Sequence, residues 1–175
     1  MAKKTSGKSS VAGAPDGRLP MRDFSRSLPM SLLRARESVM RHFRPSLRAH
    51  GLTEQQWRIL RALASGGDIE VTELARLAYL LGPSLSRILR DLETRRLIER
   101  RLVEADLRRN VVSITSSGLR LIKAVAPSSE AIYAEMTRRY GARKLADLQD
   151  MLHRLEAALL AMPVLDDGAG DAGEE

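Results

Sequence analysis

The stretch from Val71 to Thr115 limits what this chain can fold into more than any other. Val71–Ala78 and Pro83–Arg96 read as two short helices joined by Tyr79-Leu80-Leu81-Gly82. Two helices with so tight a turn form a helix-turn-helix. In the second helix Leu85, Ile88, Leu89 and Leu92 share one face. The opposite face presents Arg87, Arg90 and Thr94, flanked by Ser86 and Asp91. Two β-branched runs, Leu97–Val103 and Val111–Thr115, then flank the polar segment Glu104–Asn110, which predicts a hairpin. A helix-turn-helix followed directly by a hairpin is a winged helix.

Long helices surround this unit. The first is predicted over Pro29–Ala49, with Gly51 after its end and a face of Leu32, Ala35, Val39, Met40, Phe43 and Leu47. Pro45 lies inside it and is expected to kink it. A second helix starts at Thr53, where Thr53 and Gln56 spell a capping box and Leu52 and Trp57 a hydrophobic staple. After the hairpin, Ser116 or Ser117 is expected to cap a helix that Pro127 bends. The last helix, about Ala142–Met162, carries Leu145, Leu148, Leu152, Leu155, Leu159 and Met162 in alternating steps of about three and four, an a/d seam. A seam this long exceeds what one short domain needs for itself, so a partner helix is expected, most simply from a second copy. The fold class is therefore mainly α with a small β hairpin: a winged helix-turn-helix domain plus a long-helix dimerisation region.

Charge assigns the ends and the body different characters. Residues 1–22 are Ser-, Gly- and Lys-rich without periodicity and read as a disordered basic arm; residues 163–175 read as a disordered acidic tail. Residues 23–50 are expected to form a dimerisation helix, 51–116 the winged domain, and 117–162 the C-terminal dimerisation helices. The basic arm and the acidic tail nearly offset each other, so the net charge of +7 resides on the body, and a basic folded body favours a polyanion, nucleic acid ahead of a membrane surface.

Other functions are disfavoured. There is no cysteine and there are three scattered histidines, so no metal or thiolate chemistry is expected. The G-x-G-x-x-G of Gly168–Gly173 follows no strand and opens no helix, so it is not a dinucleotide loop. No cofactor is implied, and an enzyme is not expected. No signal peptide or membrane span is visible, so a cytoplasmic location is expected.

Several motifs resemble the MarR family of bacterial winged-helix regulators. They are Leu52-Thr53-Glu54-Gln55-Gln56-Trp57, Glu73-Leu74-Ala75, Pro83 to Glu93, Leu97-Ile98, and the wing Asp106-Leu107-Arg108-Arg109 running to Thr115-Ser116-Ser117-Gly118. The match covers about residues 28–160. The stretch from Ser27 to Leu63 is similar to the repressors of homoprotocatechuate-degradation operons. One departure is Tyr79-Leu80-Leu81 in the turn, where many helix-turn-helix proteins keep a glycine.

The resemblance implies a homodimeric repressor on a pseudo-palindromic operator of double-stranded DNA. Ser84, Ser86, Arg87, Arg90 and Thr94 would face the major groove, where arginine pairs with guanine and serine holds phosphate. Arg108 and Arg109 at the wing suit a narrow minor groove, although Asp106 can instead pair with Arg108. The resemblance also implies a small aromatic carboxylate effector of the 4-hydroxyphenylacetate type, which releases the operator.

Arg36 lies within the apolar stripe of the first helix and needs an anion there, either a protein carboxylate or that of the effector. Trp57 is a stacking wall or plain core. His42 and His50 are surface or capping residues, or ligand contacts. The alternatives are a MarR-type regulator of another pathway, with a hydroxynicotinate or aryl-CoA effector, and an architectural DNA-binding protein without one.

Overall fold

The computed structural model describes residues 24–103 and 106–163, with side chains for all of these except 102–109. A short 3-10 helix, Phe24–Arg26, precedes α1 (Leu28–Ala49). Then follow α2 (Glu54–Gly66), β1 (Ile69–Glu70), α3 (Val71–Ala78), α4 (Gly82–Thr94), β2 (Ile98–Val103), β3 (Asp106–Ile114), α5 (Ser116–Tyr140) and α6 (Ala142–Leu160). The chain divides into two compact units, residues 1–39 and 40–175.

In the second unit the core is aliphatic, as the low aromatic content requires. Ile59, Leu60 and Leu63 of α2, Leu74 of α3, and Leu85, Leu89 and Leu92 of α4 are sealed together with Ile98 and Val112 of the sheet. Burial of each such side chain is worth about 1.5–3 kcal/mol. In the first unit Leu28, Leu32, Leu33 and Val39 stay exposed, so the predicted stripe on α1 is buried only at Phe43 and Leu47. Both α1 and α5 continue through their prolines.

The predicted capping box is present. Thr53 Oγ1 accepts from the Gln56 N–H at 3.2 Å, and Gln56 Oε1 accepts from the Thr53 N–H at 2.8 Å. The turn without glycine is resolved by Tyr79, which adopts φ 50°. Its N–H donates to Arg76 at 3.2 Å and that of Leu80 to Ala75 at 3.0 Å, the two reverse bonds of a Schellman turn. The left-handed conformation costs a tyrosine about 1–2 kcal/mol. Its hydroxyl donates to the Glu156 carboxylate of α6.

Three expectations are corrected. The polar segment 104–110 is not all loop, because β3 begins at Asp106. A ladder needs backbone groups rather than apolar side chains, so a charged ribbon reads falsely as a turn. The register breaks between Leu102 and Val103. Second, a third strand joins the hairpin: β1 pairs antiparallel with β3, Ile69 opposite Val112, giving the order β1-β3-β2. Two residues carry no periodicity from which to predict it. Third, the cap of α5 is Thr115, not Ser116 or Ser117. Its hydroxyl accepts from the Gly118 N–H at 3.1 Å and donates to the Arg96 carbonyl at 2.7 Å, so one side chain closes the helix and the strand before it. Gly118 is required there, since a Cβ would stand 2.3 Å from the Leu97 carbonyl oxygen.

Candidate nucleic-acid interface

Helix α4 divides as its sequence predicts. Leu85, Leu89 and Leu92 face the core, whereas Ser84, Ser86, Arg87, Arg90 and Thr94 are exposed. The Thr94 hydroxyl donates to the Arg90 carbonyl of its own helix at 2.9 Å. Among the described residues, no carboxylate pairs with the guanidinium of Arg87 or Arg90. Two cations with free donors on the outer face of a helix can engage an anion or a base edge without first breaking an ion pair. Arg108 and Arg109 belong to β3, and their side chains lie outside the described residues.

Polar ties that the sequence does not reveal hold α4 in place. Gln56 Nε2 donates to Asp91 at 2.7 Å. Arg100 of β2 grips the Glu93 carboxylate through Nε at 2.9 Å and through Nη2. That hydrogen bond, chiefly, holds the Glu93 carboxyl below its ordinary pKa. Arg58 of α2 donates to the Ala78 carbonyl at the end of α3 at 2.8 Å. The hairpin is fastened at Asp68, which accepts from the Ser113 hydroxyl at 2.5 Å and from Arg101. The only sequence signal for any of these was Gln56, legible as a cap and nothing more.

A tight cleft, closed to water-sized molecules, lies between α1, α2 and α5, lined by Phe43, Ser46, Trp57, Val125, Ser129 and Ile132. Ser46 and Ser128 share a 2.5 Å hydrogen bond beside it. The Arg61 guanidinium stands over the Trp57 ring at 5.8 Å. Sequence reading had passed over Arg61, which lies one turn after Trp57.

Trp57, His42 and His50 do not meet in one site. His42 is exposed and borders a separate open cleft with Ile132, Glu135, Met136 and Arg139. His50 Nδ1 lies 2.9 Å from the Ser46 carbonyl of the preceding turn, which makes it an end-of-helix residue. In the first unit Arg36 is not buried: its side chain is 47% exposed and it pairs with Glu37 at 2.6 Å. The anion that its position demanded is met by a neighbour in sequence.

Helix α6 buries no residue. Along its seam Leu145, Leu148 and Leu155 are half-buried, while Leu152 and Leu159 are 39% and 48% exposed. Met151, Leu160 and Met162 add to this apolar surface.

The MarR family model matches residues 50–109, from the end of α1 into β3. Over 137 residues the chain is 35% identical to the HTH-type transcriptional regulator FarR of Neisseria gonorrhoeae, covering 78% of this chain and 94% of that one. The chain belongs to the MarR family. It is also 37% identical over 131 residues to the homoprotocatechuate degradative operon repressor of Escherichia coli, covering 75% and 88% of the two chains. The crystal structure of NadR in complex with 4-hydroxyphenylacetate superposes with a TM-score of 0.70 at 34% identity, over 78% of this chain and 97% of that one. MarR membership agrees with the winged helix-turn-helix and the mainly helical fold observed here. Among the described residues of this MarR chain, no helix is long and apolar enough to cross a membrane.

Proposed function

We propose that the protein is a homodimeric transcriptional repressor of an aromatic-acid catabolic operon, released from its operator by a small aromatic carboxylate of the 4-hydroxyphenylacetate type. The observation that carries the DNA part is the outer face of α4, with Arg87 and Arg90 exposed and not paired to carboxylates among the described residues. Two such helices, one per subunit, read two half-sites. The unburied Leu face of α6 supports the second copy, because a contiguous exposed apolar patch marks an interaction surface.

The effector reading rests on the Trp57 cleft. As it stands the cleft is too tight to admit a water molecule, so an aromatic ring enters only by parting α1, α2 and α5, a displacement that would couple binding to a change of conformation. Trp57, Phe43 and Ile132 give it apolar walls, and Ser46 and Ser129 give it hydroxyls. A carboxylate on the ring needs a cation, for which Arg61, over the Trp57 ring, is the candidate. To release DNA the acid must bind the conformation that does not bind the operator more tightly, and a coupling of about 1–3 kcal/mol is typical.

Calorimetry with 4-hydroxyphenylacetate tests this reading. Saturable binding is expected, lost in Trp57→Ala and weakened in Arg61→Met. Equal binding by all three proteins would refute the cleft as the effector site.

A further inference from the structure

Two kinds of contact hold α4. The stripe of Leu85, Leu89 and Leu92 is buried, but apolar burial is non-directional. Close packing seats the helix against its neighbours, and two polar ties refine its setting: Arg100 of β2 on Glu93 and Gln56 of α2 on Asp91. The hydrogen bonds add angular precision that packing alone does not supply. Gln56, in the first turn of α2, is 9% exposed. Its Oε1 accepts the Thr53 N–H at 2.8 Å and its Nε2 donates to Asp91 Oδ2 at 2.7 Å. Asp91 follows Arg90 directly and lies one turn beyond Arg87. Its carboxylate also stands 3.5 Å from Arg95, but Arg95 follows the same helix and does not orient α4 against α2.

The choice of glutamine carries information. A capping box accepts Glu or Gln at this position equally. Only the amide can accept from the cap with one atom and donate to a carboxylate with the other. A glutamate here would cap α2 and repel Asp91. We propose that Gln56 is a positioning residue for DNA reading: through Asp91 it fixes the rotation and register at which α4 presents Arg87 and Arg90. A turn of about 10° about the helix axis moves a guanidinium at about 8 Å radius by about 1.4 Å, more than a bidentate contact to guanine tolerates. The inference rests on the repressor reading above and names a residue that acts through another.

The test separates the cap from the tie. Gln56→Glu keeps the cap and sets two carboxylates face to face. Adding Asp91→Asn restores a donor and acceptor pair with the roles exchanged. Fluorescence anisotropy measures affinity for the duplex that the wild-type protein selects from a random-sequence pool, and for an unrelated duplex. Loss of one oriented hydrogen bond corresponds to about 10-fold on the selected duplex, with less than about 3-fold change on the unrelated one. The double variant should recover the wild-type ratio of the two affinities, a readout that loss of stability alone does not move. A wild-type ratio in Gln56→Glu, or a double variant as unselective as the single one, would overturn the inference. Hydrogen exchange at the α4 amides reads the same tie without DNA: faster exchange is expected in Gln56→Glu and wild-type exchange in the double variant. A wild-type chain that selects no duplex would refute the repressor reading instead, and exchange would still decide the role of Gln56.

Discussion

Replacing Gly118 by alanine adds one methyl group where the structure leaves no room for it. An ideal Cβ would lie 2.3 Å from the Leu97 carbonyl oxygen and 2.7 Å from Ile114 Cγ1. A carbon meets a carbonyl oxygen comfortably at about 3.3 Å or beyond, so backbone must move by about 1 Å. The carbonyl that moves is the acceptor of the Thr115 N–H at 3.1 Å, the bond that joins β2 to the start of α5. Overpacking of this kind costs about 1–3 kcal/mol, and weakening that hydrogen bond adds about 1 kcal/mol. Alanine's better helix propensity returns up to about 1 kcal/mol, less here because the site is in the first turn. The clash wins, and Gly118→Ala should be less stable by about 1–3 kcal/mol. Gly82 is the control: nothing stands within 4 Å of its ideal Cβ and it opens α4 without a positive φ. Gly82→Ala should be neutral or more stable by up to about 1 kcal/mol. Urea unfolding followed by helical circular dichroism, at one protein concentration for all variants, measures both. Wild-type stability in Gly118→Ala would refute the claim that close backbone approach, rather than flexibility, demands glycine there.

Three further outcomes follow from the same geometry. Leu148→Asp with Leu155→Asp should place charges in the proposed subunit interface and yield monomers in sedimentation at micromolar concentration, where the wild type is expected to sediment as a dimer; a monomeric wild type would contradict the proposed pairing of α6. Arg87→Ala or Arg90→Ala should weaken binding to the selected duplex by about 1–3 kcal/mol and relax preference at one base pair, as read by mobility shift on a panel of substituted duplexes. Glu135 accepts from Arg138 and Arg139, which lower its pKa from the ordinary carboxylate value to about 2. Its ion pairs should therefore be complete above pH 4.5, persist below it, and be lost only as pH falls through about 2, seen as a carboxyl 13C titration near 2; a midpoint near 4.5 would show that the arginines do not hold it in solution.

What could be read in the sequence was what is local and periodic. The helix spacing of Leu85, Leu89 and Leu92 predicted both the buried face of α4 and the exposed arginines opposite, because one period dictates both. Thr53 and Gln56 predicted the start of α2, because a capping box is a contact between near neighbours. Strand β1 was hidden because its partner Val112 is far along the chain and two residues show no alternation. The Gln56–Asp91 and Asp68–Ser113 ties were hidden for the same reason: each spans many residues, and a polar side chain does not reveal in sequence which distant group it faces. Polarity misled at 106–110, where a strand of polar residues resembles a loop, and helical angle misled at Arg36, where a stripe on α1 is apolar but exposed.

The account stands or falls on how the protein occupies DNA. Nuclease footprinting of the wild-type protein on the duplex it selects, in low and moderate salt, tests this most directly. Two α4 helices related by a dyad predict a short protected segment with two half-sites about one helical turn apart, and binding that weakens steeply with salt as phosphates are neutralised. Arg87→Ala should lose the footprint before it loses salt-dependent binding to unrelated DNA. Protection spread evenly along any duplex, with wild type and Arg87→Ala indistinguishable, would contradict a sequence-reading repressor and leave only general attraction to the phosphate backbone.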